Sequence, residues 1–186
     1  MISKLKEFIS VKTGWMKTLL VLLVLSGRMA VAAPPEGIFQ GWDGEWTHVS
    51  QQLIALADAT PEDKFSWRPA QGVRSTSEVY MHIAWANLYL LSFTGPKMPA
   101  NLPQHAEKTI TSKADVIRWL KQSLEAVKQA HVKETHKGLQ RKVRVFDGIN
   151  TNAEGVYLRI IIHDNEHMGQ LVAYARMTGV VPPWSQ

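Results

Sequence analysis

The sequence contains no cysteine. That excludes disulfides, thiolate metal ligands, a cysteine nucleophile and a lipid anchor on cysteine. Any metal must be held by His, Asp or Glu. Long hydrophobic runs are also scarce. The apolar stretch Leu19-Leu20-Val21-Leu22-Leu23-Val24-Leu25 is far short of the roughly 20 residues a membrane-spanning helix needs. Strand-like segments are nearly missing: KVRVF at 142–146, before the turn Asp147-Gly148, is the one extended fragment. Finally, no Asp or Glu follows His167.

The apolar stretch has a context. Lys4, Lys6, Lys12 and Lys17 precede it, and Arg28 and the small-residue run Ala30-Val31-Ala32-Ala33 follow. This basic, apolar, small-residue order predicts a secretory signal peptide over residues 1–32, cleaved on export to the periplasm or medium. A short anchor that is never cut is the alternative. Met16-Lys17 would itself make a compact start. Residues 33–186 then form a single domain. The leader holds five of the 21 basic residues and one of the 16 acidic ones, leaving 16 and 15, a formal net of +1. A basic domain that coats nucleic acid is not what remains. After cleavage no stable membrane insertion is expected.

Four helical segments follow. The first spans about 39–58, with Trp42, Trp46 or Val49, Leu53 and Leu56 on one stripe. The second opens at Ser75, where Ser75 and Glu78 fit a capping box, and buries Val79, His82, Ile83, Ala86, Leu90 and Phe93. The long proline-containing loop after it suggests a crossover rather than a hairpin. The third opens at Ser112, with Asp115 three residues on, and runs to about His136, before Gly138. Val116, Leu120, Leu124 and Val127 form its apolar face. The fourth opens at Thr151 with Glu154 and closes at Gly179, with Pro182-Pro183 beyond. Four amphipathic helices and no convincing run of strands predict an all-α four-helix bundle.

Within the fourth segment, His163 and His167 are four residues apart and share a helix face with Ile160, Leu171 and Tyr174. Two imidazoles there can grip one metal ion. A pH-sensitive structural pair and an oligomer interface are the bland readings. A catalytic metal wants three protein ligands and an open position. His82, on the core stripe of the second helix, is the best third ligand. His105 lies in a loop, His131 and His136 sit among Lys and Glu, and His48 falls beside its stripe. Asp164 reads as a solvent-facing charge, Glu166 points to another face, and Asn87 and Tyr174 are pocket candidates. The tryptophans suit core or dimer packing better than a pocket wall. The string HDNEH has the H-x-x-E-H spacing of a metalloprotease, with Glu166 as base. That reading needs a later acidic ligand, and none exists.

The segments WRPAQGVRSTSEVYMHIAW and HDNEHMGQLVAYARMTGVVPP resemble the DinB superfamily, the DinB/YfiT-like metalloenzymes, here as an exported member. The resemblance rests on Trp67-Arg68-Pro69 before the second helix, His82 within it, the His163–His167 pair, Gly169-Gln170, and Arg176 through Pro182. It covers about 39–183. It implies a four-helix bundle with an embedded divalent metal, Zn or Ni, held by His82, His163 and His167. Some relatives use such a metal to activate a low-molecular-weight thiol. A homodimer is implied by the relatives alone. The DNA polymerase that shares the DinB name is unrelated in fold.

Physically, neutral imidazoles leave the cation's charge uncancelled, so it can lower the pKa of a bound water or thiol. The expected function is a metal-dependent hydrolase or thiol-dependent transferase acting on a small molecule. A non-catalytic metal-binding or structural protein of the same fold is the alternative, since no general base or nucleophile stands out. Thiol chemistry in the family is mostly cytosolic, which sets the leader against the transferase version.

Overall fold

The computed structural model describes residue 37 and residues 39–185, and the leader expected at residues 1–32 lies outside them. In chain order the helices and strands are α1 (Gly41–Ala59), α2 (Thr76–Ser92), α3 (Ala106–Thr109), α4 (Lys113–His131), α5 (His136–Leu139), β1 (Lys142–Val145), β2 (Ile149–Asn152) and α6 (Ala153–Met177). The four long helices make the bundle. No helix among the described residues is long and apolar enough to cross a membrane.

The bundle is not a simple up-and-down array. α1 and α2 each pack on both α4 and α6, which places them at opposite corners. Residue pairs fix the directions. Lys121 lies near Asp58 and His131 meets Asp43, so α4 runs against α1. Arg74 meets Tyr174, His82 meets His163, and Asn87 meets Asp164, so α6 runs against α2. Asn87 faces Ser123, and further along Leu91 and Thr94 share a cleft with Ala130 and Glu134, so α2 and α4 run the same way. Parallel neighbours cannot be joined by a tight hairpin. The segment 93–112 is therefore a crossover, as the loop length suggests.

Burial follows position. α4 and α1 bury one stripe each: Val116, Trp119, Leu120, Leu124 and Val127 on α4, and Trp46, Val49, Leu53, Leu56 and Ala57 on α1. α2 is different. Beyond the expected stripe it buries Tyr80, Met81, Ala84, Leu88 and Leu91, because α4, α6 and α3 cover it from several sides. Its run of apolar residues on every face is the sequence mark of such a helix.

The caps show which local signals hold. At Ser75 both halves of the capping box form: its hydroxyl accepts from the Glu78 N–H, and Glu78 Oε2 accepts from the Ser75 N–H at 2.8 Å. Gly179 adopts φ +79° just past α6, as a C-terminal glycine should. The third helix corrects the expected boundary: α4 stops at His131, not near His136. Thr135 instead caps the single turn α5, accepting from the Gly138 N–H. The fourth helix corrects its expected cap. Thr151 lies in β2, Asn152 Oδ1 accepts from the Gly155 N–H at 2.8 Å, and Glu154 binds Gln140. KVRVF does form a strand through Val145, paired antiparallel with β2, while Phe146 falls in the turn at φ +45°.

Candidate metal centre

His82 sits in the second turn of α2, and His163 and His167 sit mid-way along the antiparallel α6. The i, i+4 spacing brings the latter two rings edge to face at 4.5 Å between centroids, and the bundle places the His82 ring 5.0 and 4.7 Å from them. Each ring offers one nitrogen, and the three nitrogens lie within 4.8 Å of one another. His82 Nε2 and His163 Nε2 are 3.2 Å apart. All three rings are half-buried.

The outer nitrogens have distinct surroundings. His82 Nδ1 is 2.7 Å from Glu107 Oε1, and Glu107 Oε2 accepts from Arg74 Nε at 2.8 Å. His167 Nδ1 is 2.9 Å from Gln170 Oε1. Gln170 Nε2 donates to the Tyr174 hydroxyl, which donates to the Arg74 carbonyl. His163 Nδ1 is buried with no hydrogen-bond partner, and so is Asp164 Oδ1, 4.0 Å away. That is about 1 Å beyond hydrogen-bond length. Asp164 is fully buried, with Oδ2 accepting from Asn87 Nδ2 at 3.3 Å. The expectation of a solvent-facing Asp164 is thus overturned. The face of α6 one residue on from His163 packs on Asn87 of α2 instead of meeting water.

Burial sets the charges. It pushes His163 down to about 4, helped by the neighbouring His167 and His82, and it lowers His167 as well. Burial raises the Asp164 carboxyl well above the usual range. Burial also acts to raise Glu107, but hydrogen bonds from His82 and Arg74 outweigh it and hold the group at about 2. His163 and His167 are thus held neutral, with one charged carboxylate close by at His82. A lone pair on each of two Nε2 atoms 3.2 Å apart repels the other unless a proton or cation lies between them. The donor set therefore fits a divalent metal, and His82, His163 and His167 could hold one.

The other sequence candidates divide plainly. Asn87 and Tyr174 are buried beside the site, through Asp164 and Gln170 respectively. Glu166 is exposed and paired with Arg159 at 2.7 Å. His131 lies elsewhere, against Asp43 and Trp42, and His105 takes φ +57° in the crossover. Glu107 and Arg74 carry no sequence signal. Gln170 does, standing three residues from His167 on the same helix. Among the tryptophans, Trp46 and Trp119 are core, while Trp85 lines a cleft of about 560 Å³ with Met98, Leu102 and Glu107.

The segment before α2 braces this arrangement. Arg68 forks onto Glu78 at 3.2 Å through both terminal nitrogens, the Trp67 carbonyl accepts from the Thr76 N–H, and the Trp67 ring meets Tyr174 edge-on at 5.2 Å. The start of α2 is thereby tied to the late part of α6, which fixes how His82 meets His167. The DinB superfamily profile matches residues 45–171. The chain belongs to the DinB superfamily. Gly169, next to the site in the DinB ending, has open space where a Cβ would stand, so packing does not account for it.

Solved DinB relatives share the fold. A DinB-like protein from Bacillus cereus aligns with TM-score 0.64 and 23% identity, covering 77% of this chain and 94% of its own. The DinB-like YjoA of Bacillus subtilis gives 0.57 and 19%, over 76% and 97%. YfiT of Bacillus subtilis, described as a probable metal-dependent hydrolase with an unusual four-helix bundle topology, gives 0.60 and 14%, over 80% and 94%. A comparison with curated proteins gives no match.

Proposed function

We propose that this DinB protein is an exported metal-dependent enzyme of the hydrolase class, with Zn or Ni held by His82, His163 and His167. The observation that carries the reading is the convergence of three imidazoles from two helices. Three protein ligands leave coordination open, which is the catalytic rather than the structural pattern. Bound there, a divalent metal supplies Lewis-acid polarisation of a substrate oxygen or of water. The chain's own residues do the rest. The imidazoles would bind through their inward nitrogens, and burial keeps those of His163 and His167 unprotonated. Glu107 and Gln170 orient two of the rings, and the cleft at Trp85 offers a small molecule an apolar wall beside Glu107. The description of YfiT as a probable metal-dependent hydrolase supports the class.

A second reading is favoured by a separate observation. Among the described residues, no carboxylate near the histidines stands ready as a general base: Glu107 is held by His82 and Arg74, Asp164 is sealed, and Glu166 is paired on the surface. A non-catalytic metal-binding role would follow. Metal analysis of the purified protein, with ester hydrolysis and thiol-transfer assays run with and without chelator, separates the two. Chelator-sensitive turnover supports the enzyme. One equivalent of metal without turnover supports the binder, and no metal sinks both. Export predicts a mature N-terminus near residue 33, and an intact leader in a cytoplasmic fraction would refute it. A homodimer and the absence of nucleic-acid binding are further parts of the proposal, checked by sedimentation and by gel shift.

A further inference from the structure

Resting on the metal-site reading, we propose that Glu107 is the positioning residue for the His82 ligand, which makes the α2–α4 crossover part of the metal centre. Glu107 is gripped from both sides: one oxygen is 2.7 Å from His82 Nδ1 and the other 2.8 Å from Arg74 Nε. An ionised carboxylate only accepts, so His82 Nδ1 carries a proton toward it and Nε2 is the nitrogen left for a metal. That is the nitrogen facing His163.

The carboxylate is where it is through tertiary contacts. α3 is a single turn, too short to persist alone. It is pinned by buried Ala106, by Lys108 on Glu78 at 2.9 Å and by Arg74 on Glu107. Glu78 closes the capping box of α2. The frame that starts the ligand helix thus also delivers the ligand's outer partner.

A second line closes the loop. The Arg74 carbonyl accepts from Tyr174, Tyr174 accepts from Gln170, and Gln170 Oε1 accepts from His167 Nδ1. His82 and His167, on different helices, are therefore linked behind the site through Glu107, Arg74, Tyr174 and Gln170. Both rings are set with Nδ1 outward as donor. The two partners differ in kind: the carboxylate enriches His82 as a donor to metal, while the amide does so less for His167.

The test uses the purified protein, metal-free and titrated with Zn against a competing chelator, together with 15N NMR of the histidine rings. In the metal-free wild type His82 shows the Nδ1–H tautomer. Glu107→Ala loses that signature and weakens Zn binding about 10–100-fold. Glu107→Gln, which keeps the shape, melts as the wild type does and binds Zn with intermediate affinity. An Nε2–H tautomer at His82 in the wild type overturns the proposal. So does a folded Glu107→Ala, or Glu107→Gln if the alanine variant fails to fold, that binds Zn as tightly as the wild type. If the wild type takes up no Zn, the metal-site reading fails, and the tautomer in the metal-free chain still decides the role of Glu107.

Discussion

Two histidine–carboxylate pairs lie toward opposite ends of this bundle. His82 meets Glu107 at 2.7 Å near the start of α2, and His131 meets Asp43 at 3.0 Å at the end of α4. Burial does not tell them apart: the side-chain exposures are 17% and 13%. The remaining faces of the rings do. His131 lies flat on Trp42, 3.8 Å between centroids, with Tyr157 edge-on at 4.9 Å. His82 turns Nε2 toward a second imidazole and sits beside a third. Among the described residues His131 joins no larger cluster of metal-ligating groups. A half-buried histidine with a carboxylate partner is thus a packing unit by default. It becomes a candidate site when its inner nitrogen meets others of its kind.

The sharpest way to break this contrast is to delete one ring at each end. His163→Ala should abolish stoichiometric metal uptake, a drop of at least about 100-fold in affinity. His131→Ala should leave uptake untouched. Elemental analysis of the purified variants reads both, and one unchanged equivalent in His163→Ala would show that the site is misassigned.

The next effect concerns the frame rather than the ligands. Burial works to raise Glu78, but Lys108, the Ser75 N–H and Arg68 hold it from its ordinary 4.5 down to about 2. A depressed carboxylate stabilises the fold above its unfolded pKa and loses that contribution as pH falls from about 4.5 through 2. Glu78→Gln should therefore cost about 2 kcal/mol at pH 7, the exposed Lys108 and Arg68 partners being screened by solvent. The gap from wild type should close on acidification to pH 2. Denaturant unfolding across pH measures it, and a gap that does not depend on pH would contradict the ion-pair account.

At the His131 end, the same His131→Ala variant should lose about 1–2 kcal/mol of stability through its aromatic contacts. A larger loss than for Glu78→Gln would reverse the view that this end is only packing. The smallest effect is expected at Asn152→Ala, about 1 kcal/mol for the α6 cap, with Thr151→Ala well below it. Equal losses would restore Thr151 as the cap.

How legible the site was varies residue by residue. His163, His167 and Gln170 lie on one helix, and their relation follows from 3.6-residue periodicity alone. His82 falls on a core stripe by the same periodicity, although nothing local says which face of α2 meets α6. The burial of Asp164 has no local signal, because one turn of a helix contains both outward and inward faces, and only the packing of Asn87 against it closes the second. The Ser75–Glu78 box was readable because both partners are local. The α4 end was not, because Val132 to Glu134 continue a helix-compatible string that the chain nevertheless leaves.

Local and periodic features are written in the chain itself. These are the four helices, the absence of thiolate chemistry, the paired histidines and the removal of the protease reading by the missing downstream acid. Tertiary structure alone decided that α2 and α4 run parallel, that the crossover carries Glu107 to His82, and that Asp164 is sealed from water. The reason is range. Helix periodicity and capping act over three or four residues and are written in every short window. A contact between residues 82 and 107, or 87 and 164, depends on how whole helices pack, and no window of the chain contains both partners in a fixed relation.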